Sequence, residues 1–213
     1  MNFLKIGMLL RKNCANFASK TVINMKKVLL SLLAFAAIVF VACASKEKKG
    51  AEAVEAATPV LVAVFSAQGH TKAVAEKIAK ATGGDLFQIE PEQSYTEEDL
   101  DGWNDSARGT LEARDRSTRP GIANKVRNFE RYDTIYLGFP IWWYTAPTIV
   151  NTFLESYNTD GKVIIPFATS GGSSYGESTK DLKVSAPKAT FKPGRVLNNC
   201  TQQDIDRWVK SVK

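Results

Sequence analysis

An open, parallel α/β sheet covered by helices on both faces is the fold this sequence predicts, and three observations carry the prediction. Beyond Pro59, short apolar runs alternate with stretches of helical period, the pattern of parallel strands linked by crossover helices. Two of the runs, Thr134 to Phe139 and Val163 to Ala168, are almost unbroken in apolar character, as strands buried on both faces require. Loops follow the first, third and fourth runs, small and polar after the first and fourth and aromatic after the third, at the sheet edge where open α/β sheets bind ligands.

The strand-like runs are Val60 to Phe65, Leu86 to Ile89, Thr134 to Phe139, Val163 to Ala168 and a weaker Arg195 to Leu197, which makes five strands. Between them, Thr71 to Ala81 places Val74, Ile78 and Ala81 on one helical face, and Pro147 to Leu154 does the same with Ile149, Val150, Phe153 and Leu154. A helix near Ser174 to Val184 and another from Asp204 to Val212, with Ile205, Trp208, Val209 and Val212 inward, complete the alternation. The stretch from Tyr95 to Arg119 is polar and of mixed charge; a helix over Glu97 to Ala113 and a loop are expected there. Its Arg108, Arg114, Arg116 and Arg119 are interleaved with Glu112 and Asp115 and read as a solvated helix face.

The front of the chain has a different character. Lys26 and Lys27 precede an apolar run from Val28 to Ala42, broken only by Ser31. A spanning helix wants roughly 20 apolar residues, and this shorter run fits the core of a signal peptide. It ends in Phe40-Val41-Ala42-Cys43, which resembles a bacterial lipobox with Phe40 in place of the usual aliphatic residue. The resemblance implies cleavage before Cys43, lipidation of that cysteine and a membrane-anchored protein of the bacterial cell envelope. Met25 stands directly before the Lys pair and is a candidate for the true start. Residues 43–58 are mostly Lys, Glu, Ala and Gly, a composition that cannot bury a core and reads as a flexible tether. The expected organisation is therefore a signal peptide over 1–42, a lipidated tether over 43–58 and one globular domain over 59–213.

Charge follows the same division. The formal charge of +6 arises in residues 1–42, which hold six of the 28 basic residues and no acidic one; the remaining 22 match the 22 acidic groups. A near-neutral domain has no electrostatic footprint for DNA or RNA, and a nucleic-acid partner is not expected. With Cys14 removed and Cys43 lipidated, Cys200 is left without a partner for an internal disulfide. His70 is the single histidine, which excludes a multi-histidine metal site.

Three segments carry the chemistry. In Val62 to Lys72 an apolar strand runs through Ser66-Ala67-Gln68-Gly69-His70-Thr71 straight into a helix. Unpaired N–H groups and the helix dipole make such a junction an anion site. Ser66 and Thr71 add hydroxyls, and Gly69 allows close approach of the backbone to phosphate oxygens. The Gly-Lys-Ser/Thr ending of a nucleotide-hydrolysing loop and the spaced glycines of a dinucleotide loop are both absent. The second segment, Pro140-Ile141-Trp142-Trp143-Tyr144, sets three aromatics side by side after the third strand. Such a cluster packs against something flat, with at least one ring expected to plug the core instead. The third, Thr169-Ser170-Gly171-Gly172-Ser173-Ser174-Tyr175, is a small-residue loop that lets backbone groups reach a ligand edge.

From Pro59 to the carboxyl terminus the chain resembles the flavodoxin superfamily, in a short-chain, flavodoxin-like lipoprotein form. The loop Ser66 to Thr71 is similar to the family's FMN-phosphate loop, with Gln68 and His70 where threonine and asparagine are usual and Lys72 as a further departure. The aromatic segment is similar to the loop lying against the flavin, and Thr169 to Tyr175 to the loop bonding its polar rim. The resemblance implies a three-layer flavodoxin-like sandwich with a five-stranded parallel sheet of order 2-1-3-4-5. It implies FMN as the cofactor, held by Ser66, Gln68, Gly69, His70, Thr71, Pro140, Ile141, Trp142, Trp143, Tyr144, Thr169, Ser170, Gly171, Gly172 and Tyr175. No catalytic acid, base or nucleophile is required, because the flavin does the redox chemistry. The expected function is electron transfer with an unidentified redox partner protein. An NAD(P)H-dependent quinone or flavin reductase, and a flavin-free binding lipoprotein on the same fold, are the two alternatives.

Overall fold

A computed structural model describes residues 59–213; the expected signal peptide, the expected lipidation at Cys43 and the expected tether lie outside the described residues. In chain order the elements are β1 (Val60–Val64), α1 (His70–Thr82), β2 (Asp85–Gln88), α2 (Arg108–Arg114), β3 (Thr134–Pro140), α3 (Thr148–Glu155), β4 (Val163–Thr169), α4 (Ser178–Lys183), β5 (Thr190–Phe191), β6 (Arg195–Val196) and α5 (Gln202–Val212). Every strand pairing is parallel, and the order is β2-β1-β3-β4-β5, with β6 also on β4. This is the flavodoxin-like 2-1-3-4-5 sheet.

Strand alternation divides the core in two. Leu61, Ala63, Phe65, Ile135, Leu137 and Phe139 face Ile149, Val150, Phe153, Leu154 and Leu182 of α3 and α4. Val62, Val64, Tyr136, Ile165 and Phe167 face Val74, Ile78, Ile205, Trp208 and Val209 of α1 and α5. Because side chains alternate across a strand, the nearly continuous apolar runs of β3 and β4 supply both layers. β2 is the edge, and Leu86 is exposed there.

The fifth strand is where the sequence expectation needs correction. One weak strand at Arg195 to Leu197 was expected; there are two pieces, β5 and β6, separated by Lys192, Pro193 and Gly194. The carbonyls of Ile164 and Ala168 accept from Lys192 and Leu197, so the even-numbered residues of β4 face this edge. Pro166 lies between them and has no N–H to donate, and the fifth strand breaks opposite it.

The expected helix over Glu97 to Ala113 is also broken. A 3-10 turn over Glu98–Leu100 is followed by a loop, and α2 begins only at Arg108. Asp101 accepts from the Trp103 N–H and Asn104 from the Ser106 N–H, and such side-chain acceptors compete with helical bonding. Nor do the four arginines form a uniformly solvated face. Arg108, Arg114 and Arg119 pair with Glu112, Asp105 and Glu155. Arg116 is half-buried, donates to the Ala146 carbonyl at 2.9 Å, and has its pKa lowered by that burial. The helix expected near Ser174 is shortened to Ser178–Lys183.

Helix α5 opens on a capping box in which Thr201 accepts from the Asp204 N–H and Asp204 accepts from the Thr201 N–H. Thr201→Ala is expected to cost about 1 kcal/mol in a urea titration at neutral pH. The hydroxyl and N–H of Thr201, with Arg207 beside them, lower the Asp204 carboxyl from 3.8 to about 2. A depressed folded-state pKa stabilises above the unfolded value and loses that effect as pH falls through the folded one. The stability deficit of Asp204→Asn should therefore be full above pH 3.8 and fade towards pH 2; a deficit constant over that window would contradict this reading.

Candidate functional site

At the carboxyl ends of β1, β3 and β4 a cavity of about 940 Å³ opens on the sheet edge. The first wall is the junction from β1 to α1. Phe65 still follows the sheet, donating to the Gly138 carbonyl at 2.9 Å. Gly69 then turns the chain at φ +85° into α1, and no side chain caps the helix. The N–H groups of residues 66–72 donate to no group among the described residues, and the first helical bond is Ala73 to Gly69. These are the donors an anion would take. Ser66, Gln68, His70 and Thr71 line the cavity, and Gln68 and His70 are exposed. A Cβ at Gly69 would meet nothing within 4 Å, so within the chain the left-handed backbone, not crowding, calls for glycine. The Thr71 hydroxyl is buried against that of Thr169 at 2.8 Å and ties the first wall to the third.

The second wall is the aromatic segment. Trp142 and Thr145 exchange backbone hydrogen bonds at 2.9 and 3.1 Å and close a two-residue turn. Its central residues Trp143 and Tyr144 have φ +48° and +65°, the left-handed pair of a type I′ turn, in which asparagine and glycine are favoured. An indole and a phenol there cost of order 1–3 kcal/mol each, a kind of strain that clusters at ligand-binding sites. Trp142 is partly buried against the core, edge-on to Phe65 at 5.6 Å and to Tyr95 at 5.1 Å, and also lines the cavity. Trp143 and Tyr144 remain 46% and 63% exposed and line the cavity with Pro140 and Ile141. Behind them Tyr95 donates to Glu112 at 2.6 Å, and burial together with that carboxylate pushes its phenol far up.

The third wall is Thr169 to Ser173, of which Thr169, Ser170, Gly171 and Ser173 line the cavity. Gly172, at φ +146°, does not line it. Tyr175 is a correction as well: its ring lies 6.1 Å from Phe139, its hydroxyl bonds that of Thr179 at 3.0 Å, and burial raises its pKa to about 12. Apolar packing draws this ring into the core and away from the cavity.

Two further walls carried no expectation from sequence. Asn198, Asn199 and Cys200 follow β6 and line the cavity. Asn198 is zipped to Ser170, accepting from its N–H at 2.9 Å and donating to its carbonyl at 2.7 Å. Asp99, Leu100, Gly102, Trp103, Gly109 and Thr110 also line it, with Trp103 99% exposed. A lone tryptophan amid Asp, Gly and Asn was the available signal for this wall. For the other, it was the Asn-Asn pair after the last strand. Among the described residues no group of three or more His, Cys, Asp or Glu is placed to hold a metal ion.

Fold and cavity together define an open-sheet α/β protein with an anion-ready, aromatic-lined ligand site at the carboxyl edge of its strands. The chain belongs to the flavodoxin family, whose sequence profile, described as Flavodoxin, matches residues 59–212. It is 45% identical to a candidate flavoprotein of Bacteroides eggerthii DSM 20697, over 72% of this chain and 97% of that one, with a TM-score of 0.69. A second candidate flavoprotein, from Bacteroides uniformis ATCC 8492, is 42% identical over 71% and 97% of the two chains, also at 0.69. A flavoprotein of Lactobacillus acidophilus NCFM, solved in complex with FMN, shares the fold at 22% identity, over 72% and 99%, with a TM-score of 0.56. No curated protein matches the chain significantly.

Proposed function

We propose that this protein is an exported, lipid-anchored electron carrier that holds FMN non-covalently. The observation that carries the proposal is the meeting, in one cavity, of the unengaged N–H groups of residues 66–72 and a strained turn presenting two aromatic rings. The first suits a phosphate, the second a flat ring system, and FMN has one at each end. The N–H groups with Ser66, Gln68 and His70 would hold the phosphate, Trp143 and Tyr144 would lie against the ring, and Thr169 to Ser173 would meet its polar rim. When bound, FMN supplies one- and two-electron chemistry; the chain binds it, orients it and sets its electrostatic surroundings.

The charge balance bears on the potential. A domain with matched acidic and basic groups opposes negative charge on the reduced cofactor less than a strongly acidic one does. Spectroelectrochemistry should give a less negative second-electron potential than that of an acidic flavodoxin measured alongside, and an equally low value would refute this. Turnover of NAD(P)H with a quinone separates carrier from reductase: a carrier shows no sustained nicotinamide oxidation. Export and anchoring rest on the sequence of residues 26–43. Mass spectrometry of the mature amino terminus should find a lipidated Cys43, and Cys43→Ala should release the protein from the membrane fraction.

A further inference from the structure

A turn closed by an indole and a phenol, where asparagine and glycine are favoured, needs something to hold it shut. Its carboxyl end is gripped from behind. Thr145, the last residue of the turn, is buried, and its hydroxyl donates to Asp181 Oδ2 at 2.6 Å. The next residue, Ala146, offers its carbonyl to the Arg116 guanidinium at 2.9 Å. Arg116 Nε lies 3.8 Å from that same Asp181 oxygen. Asn151 completes the set: its Oδ1 accepts from Arg116 at 3.5 Å, and its Nδ2 donates to the Asp181 carbonyl at 3.1 Å.

These groups come from the segment after α2, from the turn, from α3 and from α4, and neither Arg116 nor Asp181 lines the cavity. Their bonds fall on the hydroxyl at the corner of the turn and on the first carbonyl beyond it. Charge-assisted bonds at those two points restrain the backbone directly. Gly176 leaves the turn the room it needs, because a Cβ there would stand 2.0 Å from the Tyr144 carbonyl oxygen.

We propose that Arg116 and Asp181 form a clamp that holds the Trp142–Thr145 turn in its left-handed form, and are thereby positioning residues for the ring of the bound ligand. Without the clamp the turn relaxes to the negative-φ forms that most residues prefer, and Trp143 and Tyr144 leave the cavity wall. The ligand part rests on the flavin reading of the site; the clamp itself is a property of the chain alone.

A double-mutant cycle between Asp181 and Tyr144 tests it on the full-length chain, with the FMN dissociation constant read by flavin fluorescence quenching. Asp181→Ala should weaken FMN binding by about tenfold. Asp181→Asn, which can still accept from Thr145, should recover most of the loss. In a Tyr144→Gly background, where the second left-handed position is relaxed for glycine, the Asp181→Ala effect should shrink to less than about threefold. An equal loss in both backgrounds would mean general destabilisation and would overturn the clamp. A flavin-free readout keeps the two readings apart. The amide–amide nuclear Overhauser contact between Trp142 and Thr145 should be present in the wild type, absent in Asp181→Ala and restored in Asp181→Ala/Tyr144→Gly. If the wild type binds no FMN, the flavin reading fails and this contact still decides; its survival in Asp181→Ala overturns the clamp.

Discussion

Trp143→Asn combined with Tyr144→Gly should stabilise the flavin-free protein by about 1–2 kcal/mol while weakening FMN binding roughly 100-fold. The two effects have opposite signs because the same two residues carry strain and contact. Both central positions lie at positive φ, which Asn-Gly adopts at little cost. The rings themselves are 46% and 63% exposed, so their removal sacrifices modest packing: a 3.3 Å bond from Trp143 to Thr110 and the Arg114 guanidinium 5.6 Å from the Trp143 ring. The loss of affinity corresponds to about tenfold per ring, the scale of one aromatic stacked on a heterocycle. Urea unfolding without flavin and fluorescence titration with FMN measure the two halves. Falling stability would deny the strain, and an affinity held within about threefold would deny the contact.

Phe153→Ala is expected to have the largest effect on folding, a loss of about 3–5 kcal/mol. Its side chain is fully buried beneath the sheet. Its ring lies 6.0 Å from that of Phe87, 6.3 Å from Phe129 and 5.2 Å from Tyr157. These rings come from β2, from the 3-10 turn before β3 and from the segment after α3, so a cavity at Phe153 opens the junction of three chain segments. Domains of this size hold only about 5–15 kcal/mol in total, and the variant should lose a large part of that in a urea titration. A loss below about 2 kcal/mol would mean that the neighbouring rings collapse into the space.

Much of the architecture was legible because burial leaves a period in the sequence. The continuous apolar runs of β3 and β4, and the inward faces Val74-Ile78 and Ile205-Trp208-Val209, could be read directly from residue type. The broken fifth strand could not, because its cause is Pro166 on a neighbouring strand and the break appears only once the register is known. The Glu97 to Ala113 stretch misled for a local reason: its composition suits a helix, yet Asp101 and Asn104 capture backbone N–H groups and end it.

The candidate site divides along the same line. Ser66 to Thr71, Trp142 to Tyr144 and Thr169 to Gly171 each follow a strand and could be named from order along the chain. Asn198 to Cys200 and Trp103 reach the cavity through loops whose paths the sequence pattern does not fix. Tyr175 looked like a cavity residue because glycines and serines surround it, but it sits near Phe139 and Gly194, where burying its ring is favourable. Left-handed φ at Trp143 and Tyr144 was not readable at all, since neither residue type announces it.

The central claim is that the cavity holds FMN, and the absorbance spectrum of the purified full-length protein tests it most directly. It would be recorded before and after addition of FMN, with unbound flavin removed by gel filtration. The account predicts a retained flavin spectrum with perturbed bands. A protein that emerges colourless, its fold intact by circular dichroism, would contradict it and leave a flavin-free binding role for the same fold.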